Sequence, residues 1–264
     1  MTVELGAGTW ALLAGGAALA GWVDALVGGG GLILIPLLLA AAPQVPYATV
    51  LASNKLASVS GTASAAATLV RRVRPPGRVL CFAVPLALAC AAAGALLAAG
   101  MNAAIMRPIT IALLVGVGIF VALRPDFGAR ARPRPWTGWR AAAVLVVVGA
   151  IAAYDGFFGP GTGMFLIMAF TALLGQNFVA SAAMAKVINT ATNLGALCVF
   201  LLGGHVWWSL GLVLAAANIC GAQLGARTVL GGGTRLVRYA LLALVVVMSA
   251  YLAYQQFLGS QAAG

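Results

Sequence analysis

Lys55 and Lys186 are the only lysines in a chain of 264 residues, and each follows an aspartate, Asp24 or Asp155, by 31 positions. Between acid and base lies a glycine cluster, in DALVGGGGL from Asp24 and in DGFFGPGTG from Asp155. Further polar residues surround each lysine. Asn54, Lys55, Ser58 and Thr62 fall in NKLASVSGT, and Lys186, Asn189 and Asn193 in KVINTATN. The spacings i, i+3 and i+7 place Lys55, Ser58 and Thr62 on one helical face, and likewise Lys186, Asn189 and Asn193. Ammonium groups beside amide and hydroxyl donors suit a small oxyanion such as a sulfonate or sulfite. Asp24 and Asp155 would repel that ligand if ionised. Two roles fit them: pairing with the lysines in the empty site, or carrying a proton that couples transport.

The setting makes these residues costly. The chain is 63% hydrophobic and 7% charged, with mean hydropathy +1.06, whereas soluble domains carry about 25% charged residues. Apolar residues dominate nearly every window without strand-like alternation, which excludes a β-barrel and gives an all-α polytopic membrane protein. One Lys or Asp at the bilayer centre costs about 2.5–3.5 kcal/mol. Four together reach about 10–14 kcal/mol, comparable with a whole folding stability of about 5–15 kcal/mol. Structural ion pairs locking two helices are the plain reading. A polar cavity where two halves of the chain meet is the functional one.

Five apolar stretches fill each half: 8–27, 29–42, 47–70, 79–99 and 102–123, then 140–157, 159–175, 178–203, 207–226 and 236–258. The domains expected are a first transmembrane repeat (1–123), a cytoplasmic linker (124–140) and a second repeat (141–264). The clusters at 28–31 and 159–163 divide an apolar run into legs shorter than the roughly 20 residues of a span. Glycine and Pro160 break helices, and a break inside a membrane is tolerated where it lines protein or a cavity. Each half is therefore a glycine-broken hairpin plus three further transmembrane helices, about 8–10 segments in all. The legs starting near Gly30 and Gly161 offer helix N-termini whose N–H groups favour an anion, with Gly28 and Gly159 in the turns.

Charge gives orientation. Arg71, Arg72, Arg74 and Arg78 follow the third stretch, Arg124 to Arg140 fill the linker, and Arg227, Arg235 and Arg238 follow the ninth. The loops at Gly100–Asn102 and Gly203–His205 lack arginine. Basic loops stay cytoplasmic, so equivalent loops of the two halves lie on opposite sides and both termini face outward. That is an inverted-topology repeat, a secondary-transporter architecture. An offset of 131 residues superposes Asp24 on Asp155, Gly28 on Gly159, Gly30 on Gly161 and Lys55 on Lys186. Beyond the lysines the offset is read as 127, from a shorter loop in the second half, which matches Gly94 and Ala98 to Gly221 and Gly225.

Other chemistries lack their residues. Cys81, Cys90, Cys198 and Cys220 show no metal-ligand spacing, and His205 is the single histidine. No metal, cofactor or catalytic set is expected, and no GxxxxGK[ST] motif supplies an ATPase. The arginines lie in loops without the aromatic interleaving of a nucleic-acid surface. The partners expected are a small inorganic or organic anion, protons, the lipid bilayer and, as a further candidate, a second copy of the chain. A passive anion channel and a membrane scaffold subunit are the alternatives to a transporter.

The segments DALVGGGGLILIP…NKLASVSGT and DGFFGPGTGMFLI…AKVINTATNLGAL resemble the sulfite exporter TauE/SafE family, also called toluene-sulfonate uptake permeases. The resemblance covers nearly the whole chain. It implies a multi-pass transporter of the bacterial inner membrane for sulfur-containing anions such as sulfite, sulfoacetate or related organosulfonates.

Overall fold

The computed structural model describes residues 5–100 and 137–231, with Gly116 alone between them. Four helices come from the first half: α1 (Ala7–Val27), α2 (Gly30–Ala41), α3 (Tyr47–Val73) and α4 (Gly77–Ala99). Four come from the second: α5 (Gly138–Phe157), α6 (Thr162–Leu174), α7 (Phe178–Leu202) and α8 (Trp208–Leu230). Apart from Gly116, the fifth stretch of each half, 102–123 and 236–258, lies outside the described residues, as does most of the linker.

The glycine turns end α1 and α5. Gly28 takes the left-handed conformation at φ 79° and returns its N–H to the Asp24 carbonyl at 2.7 Å. After α5, Gly159 (φ 99°) and Gly161 (φ 82°) carry the chain into α6. Glycine alone holds such angles without strain. The helices that follow have 12 and 13 residues, about 18–20 Å at 1.5 Å per residue, too short to cross a hydrocarbon core of about 30 Å.

These short legs turn back. Trp10 and Leu13, early in α1, share a core with Leu37, Leu38 and Leu39, late in α2. Val144 and Val148 of α5 likewise meet Phe170 and Leu174 of α6. The hairpins open towards opposite ends of the molecule. The first opens where α3 begins, since Val50 belongs to its core, and the second where α7 begins, since Ala182 belongs to its core. Helices α3 and α7 run antiparallel: Tyr47 and Leu51 meet Ala196 and Phe200 at one end, and Leu69 and Val73 join the core that holds Phe178 and Val179 at the other.

Packing crosses between halves. Helix α8 lies on α1 and α3, α4 lies on α5 and α7, and α3 lies on α7. The starts Ala7 and Gly138, Tyr47 and Phe178, Gly77 and Trp208, and the ends Ala99 and Leu230, all keep the offset of 131. The expected change to 127 is thus corrected. Helix α7 is two residues shorter than α3 and its following loop is longer, so the register never slips. Gly94 corresponds to Gly225, and both do the same work. A Cβ on Gly94 would sit 2.0 Å from the carbonyl oxygen of Ala153, and one on Gly225 2.5 Å from that of Trp22. Backbones therefore touch where α4 crosses α5 and where α8 crosses α1, as small residues allow in membrane helices.

The surface is apolar and the centre polar. Phe82, Leu97, Leu202 and Leu224 are exposed, while Lys55, Lys186, Asp155 and Asn189 are buried. Helices α1, α4, α5, α7 and α8 are long and apolar enough to span a bilayer. The protein is an all-α, multi-pass membrane protein. Helix α3 has 27 residues but carries the polar face around Lys55, which it turns inward.

Candidate functional site

The two glycine turns meet. A Cβ on Gly28 would lie 2.2 Å from the Cα of Gly163, and Gly31 faces Pro160. The tips of both hairpins therefore abut, with α3 and α7 supplying the lysines beside them.

The lysines reach across to the opposite half. Lys55 on α3 donates to the backbone carbonyl of Asp155 at 2.6 Å, and its Nζ lies 3.1 Å from Asp155 Oδ2. Lys186 on α7 donates to the backbone carbonyl of Asp24 and, at 2.7 Å, to Asp24 Oδ2. Each lysine thus serves the aspartate that lies in the other half. Both ammonium groups are sealed from solvent: Lys55 is 1% exposed and Lys186 0%.

Helix ends complete the electrostatics. The carbonyls of Asp24 and Asp155 lie in the last turns of α1 and α5, the negative ends of the helix dipoles, where a cation is favoured. The carboxylates face the starts of the short helices, the positive ends. Gly30 N–H donates to Asp24 Oδ1 at 3.2 Å, and the Thr162 hydroxyl donates to Asp155 Oδ1 at 2.8 Å. The N–H of Gly30, expected to be free for an anion, is held by Asp24 instead. Each carboxylate thus stands where an anion would stand, between an ammonium and a helix N-terminus.

A pocket of about 260 Å³, counting its open mouth, lies between the tips. Its enclosed part has room for about one water-sized sphere. The hairpins contribute Asp24, Gly28, Asp155 and Gly159 to it. Helix α3 contributes Asn54, Lys55 and Ser58, and α7 contributes Asn189 and Asn193. Asn193 Nδ2 donates to Asn189 Oδ1 at 3.0 Å, which fixes the Asn189 amide with its nitrogen left to donate. Asn54 Oδ1 is buried without a hydrogen-bond partner among the described residues.

Four of the expected residues stand apart from the pocket lining. Lys186 is buried against Asp24. Thr62 is buried and donates to the carbonyl of Ser58 on its own helix at 2.7 Å. Gly30 and Gly161 act at the starts of α2 and α6. Sequence reasoning missed Gly31, Thr162 and Tyr154. Gly31 joins the lining, Thr162 anchors Asp155, and the Tyr154 hydroxyl donates to the Pro160 carbonyl at 2.7 Å, bracing the second turn. Thr162 stands inside GPGTG, where its side chain was the one hydroxyl in the cluster.

Comparison with known proteins agrees with this architecture. The profile of the family described as sulfite exporter TauE/SafE matches residues 13–252. YfcA of Escherichia coli strain K12, described as a probable membrane transporter protein, is 37% identical over 238 residues, covering 90% of this chain and 87% of the relative. A protein of Haemophilus influenzae with the same description is 35% identical, covering 90% and 91%. A third, ORF9 of a Sinorhizobium species, is 35% identical, covering 89% and 87%. No solved structure matches the chain. With polar chemistry buried at the meeting point of two membrane hairpins and a family match across nearly its full length, the chain belongs to the sulfite exporter TauE/SafE family of membrane transporters.

Proposed function

We propose that the protein is a secondary transporter that exports small sulfur-containing oxyanions, of the sulfite and organosulfonate type, by alternating access. The observation that carries this reading is the pair of crossed lysine–aspartate contacts at the abutting hairpin tips. Intramembrane charges of this kind mark substrate pathways, and transporter sites form where broken helices of two repeats meet. In this reading the halves are inverted repeats that rock about the pocket, and Lys55, Lys186, Asn189 and Ser58 supply donors to the anion.

The buried ion pairs at the pocket floor favour a transporter over a channel, because they must be exchanged for an anion to pass. Orientation follows from arginine. Leu69 and Val73 at the end of α3 pack with Val229 and Leu230 at the end of α8, so Arg71, Arg72 and Arg227 share one end of the molecule. We read that end as cytoplasmic by the positive-inside rule, which puts the start of α1 on the outer side.

Thermal unfolding of the purified protein with sulfite, thiosulfate, sulfate, sulfoacetate, taurine and acetate tests the reading. An anion present at 100 times its Kd stabilises by about 2.7 kcal/mol. Stabilisation by sulfur oxyanions that disappears in Lys55→Ala is the expected result. An unchanged transition with every anion would overturn the substrate class.

A further inference from the structure

Asp24 and Asp155 occupy equivalent places in surroundings that differ. Asp155 accepts the Thr162 hydroxyl, lies against Lys55, and has a side chain 2% exposed. Among the described residues Asp24 has only the long bond from Gly30 N–H besides Lys186, and its side chain is 15% exposed. Gly31 stands 131 positions before Thr162, so the equivalent position in the first turn offers no hydroxyl. Asp24 lines the pocket, whereas Lys186, paired with it, is fully buried and does not.

The fixed charges of the site cancel, two ammonium groups against two carboxylates. An added anion would leave a net charge buried in the membrane, which is strongly disfavoured. We propose that Asp24 is the proton carrier of the transport cycle. The incoming oxyanion displaces the Asp24 carboxylate from Lys186, the freed carboxylate binds one proton, and anion and proton cross together without net charge. On the far side the proton leaves to water and the carboxylate pairs with Lys186 again. Asp155 keeps its charge throughout as the fixed partner of Lys55. This inference rests on the anion-transport reading above, and export then runs down the anion's own outward gradient, because an inward proton gradient opposes it.

Among the described residues few other groups could interfere. Lys186 faces Asp24 from α7, and Lys55 and Asp155 share its pocket from α3 and α5. Helices α2 and α6 contain no ionisable residue. On α8, Cys220 and Arg227 are exposed. Tyr154 is turned to Pro160.

The test uses the full chain in proteoliposomes with the voltage clamped by potassium and valinomycin. Labelled methanesulfonate, which stays ionised, is the probe, with sulfite in parallel against protein-free vesicles. One anion per proton predicts about tenfold accumulation for each pH unit of gradient at zero voltage, and none from voltage alone. In Asp24→Asn the pH gradient should drive no accumulation, and flux should follow voltage. Gly31→Ser gives Asp24 the hydroxyl that Asp155 already has, and its Cβ would meet Pro160 at an ordinary 3.5 Å. It should shift the flux profile towards acid pH, and it carries the test if Asp24→Asn fails to fold. Voltage-driven, pH-insensitive flux in the parent protein, or full accumulation retained in Asp24→Asn, would overturn the proton role and leave anion transport standing. No flux of either anion would remove the transport reading and this proposal together.

Discussion

Lys55 and Asp155 lie 100 positions apart in the chain and 3.1 Å apart in space, and the contact joins the two halves of the molecule. Its counterpart, Lys186 with Asp24, joins them a second time. Neither half therefore contains a neutralised site of its own, and any motion of one against the other must strain or exchange these contacts.

Removing one partner tests how much the crossing matters. Lys55→Ala leaves the Asp155 carboxylate buried and unpaired, which should destabilise the protein by about 3–5 kcal/mol. Lys55→Ala with Asp155→Ala should recover a large part of that loss. Denaturant unfolding of the two single variants and the double variant in detergent closes the cycle. Additive losses would mean the pair is not coupled. Anion flux should be absent from Lys55→Ala and Lys186→Ala even below their unfolding temperatures.

Thr162 is the residue that distinguishes the second turn. Its hydroxyl lies 2.8 Å from Asp155 Oδ1 and 2.6 Å from the Gly159 carbonyl. Thr162→Val should cost about 1.5–3 kcal/mol, the value of a hydrogen bond to a charged group. Gly31→Ala, at the equivalent place, should leave stability nearly unchanged. Equal melting temperatures for the parent and Thr162→Val would contradict the anchoring role.

The abutting tips leave no room for a side chain. In Gly28→Ala the new methyl would sit 2.2 Å from backbone of the opposite turn, at a φ of 79° that alanine resists. Loss of folded protein in size-exclusion chromatography is the expected outcome. Gly15→Ala is the control, because a Cβ there meets nothing within 4 Å. Normal yields of both would show that the tips can separate freely.

Orientation can be read by labelling. In a background without the four native cysteines, a cysteine placed at Asp126 should react with impermeant maleimide only from the cytoplasmic side. One placed at Gly204 should react from outside. The reverse pattern would overturn the assigned topology.

Much of the site was legible because charged residues are rare here. Asp24, Lys55, Asp155 and Lys186 stand out in apolar runs at one constant offset, and all four meet. Which lysine holds which aspartate was not legible. Pairing within a half and pairing across halves obey the same offset, and only the opposed directions of the two hairpins select the second. The register of α4 against α8 was misread for a related reason. Small residues recur every four positions in Gly94, Ala98, Gly221 and Gly225, so a slip of one helical turn matches as well as the true register. Backbone contacts of Gly94 with Ala153 and of Gly225 with Trp22 remove the ambiguity. Asn54 has no polar counterpart, because Ala185 stands 131 positions later. No comparison of the halves could have marked it.

The crossed contacts also impose an order on synthesis. When α1 and α3 leave the ribosome, the residues that will neutralise Asp24 and Lys55 have not been made. At about 5–20 residues per second, Lys55 waits about 5–20 s for Asp155, and Asp24 longer for Lys186. During that time the nascent first half holds an acid and a base in the bilayer with only each other or the insertion machinery to shield them. The first half can neutralise its charges in the native way only once the second is made, so a truncated chain should be cleared by proteolysis rather than persist as a folded fragment.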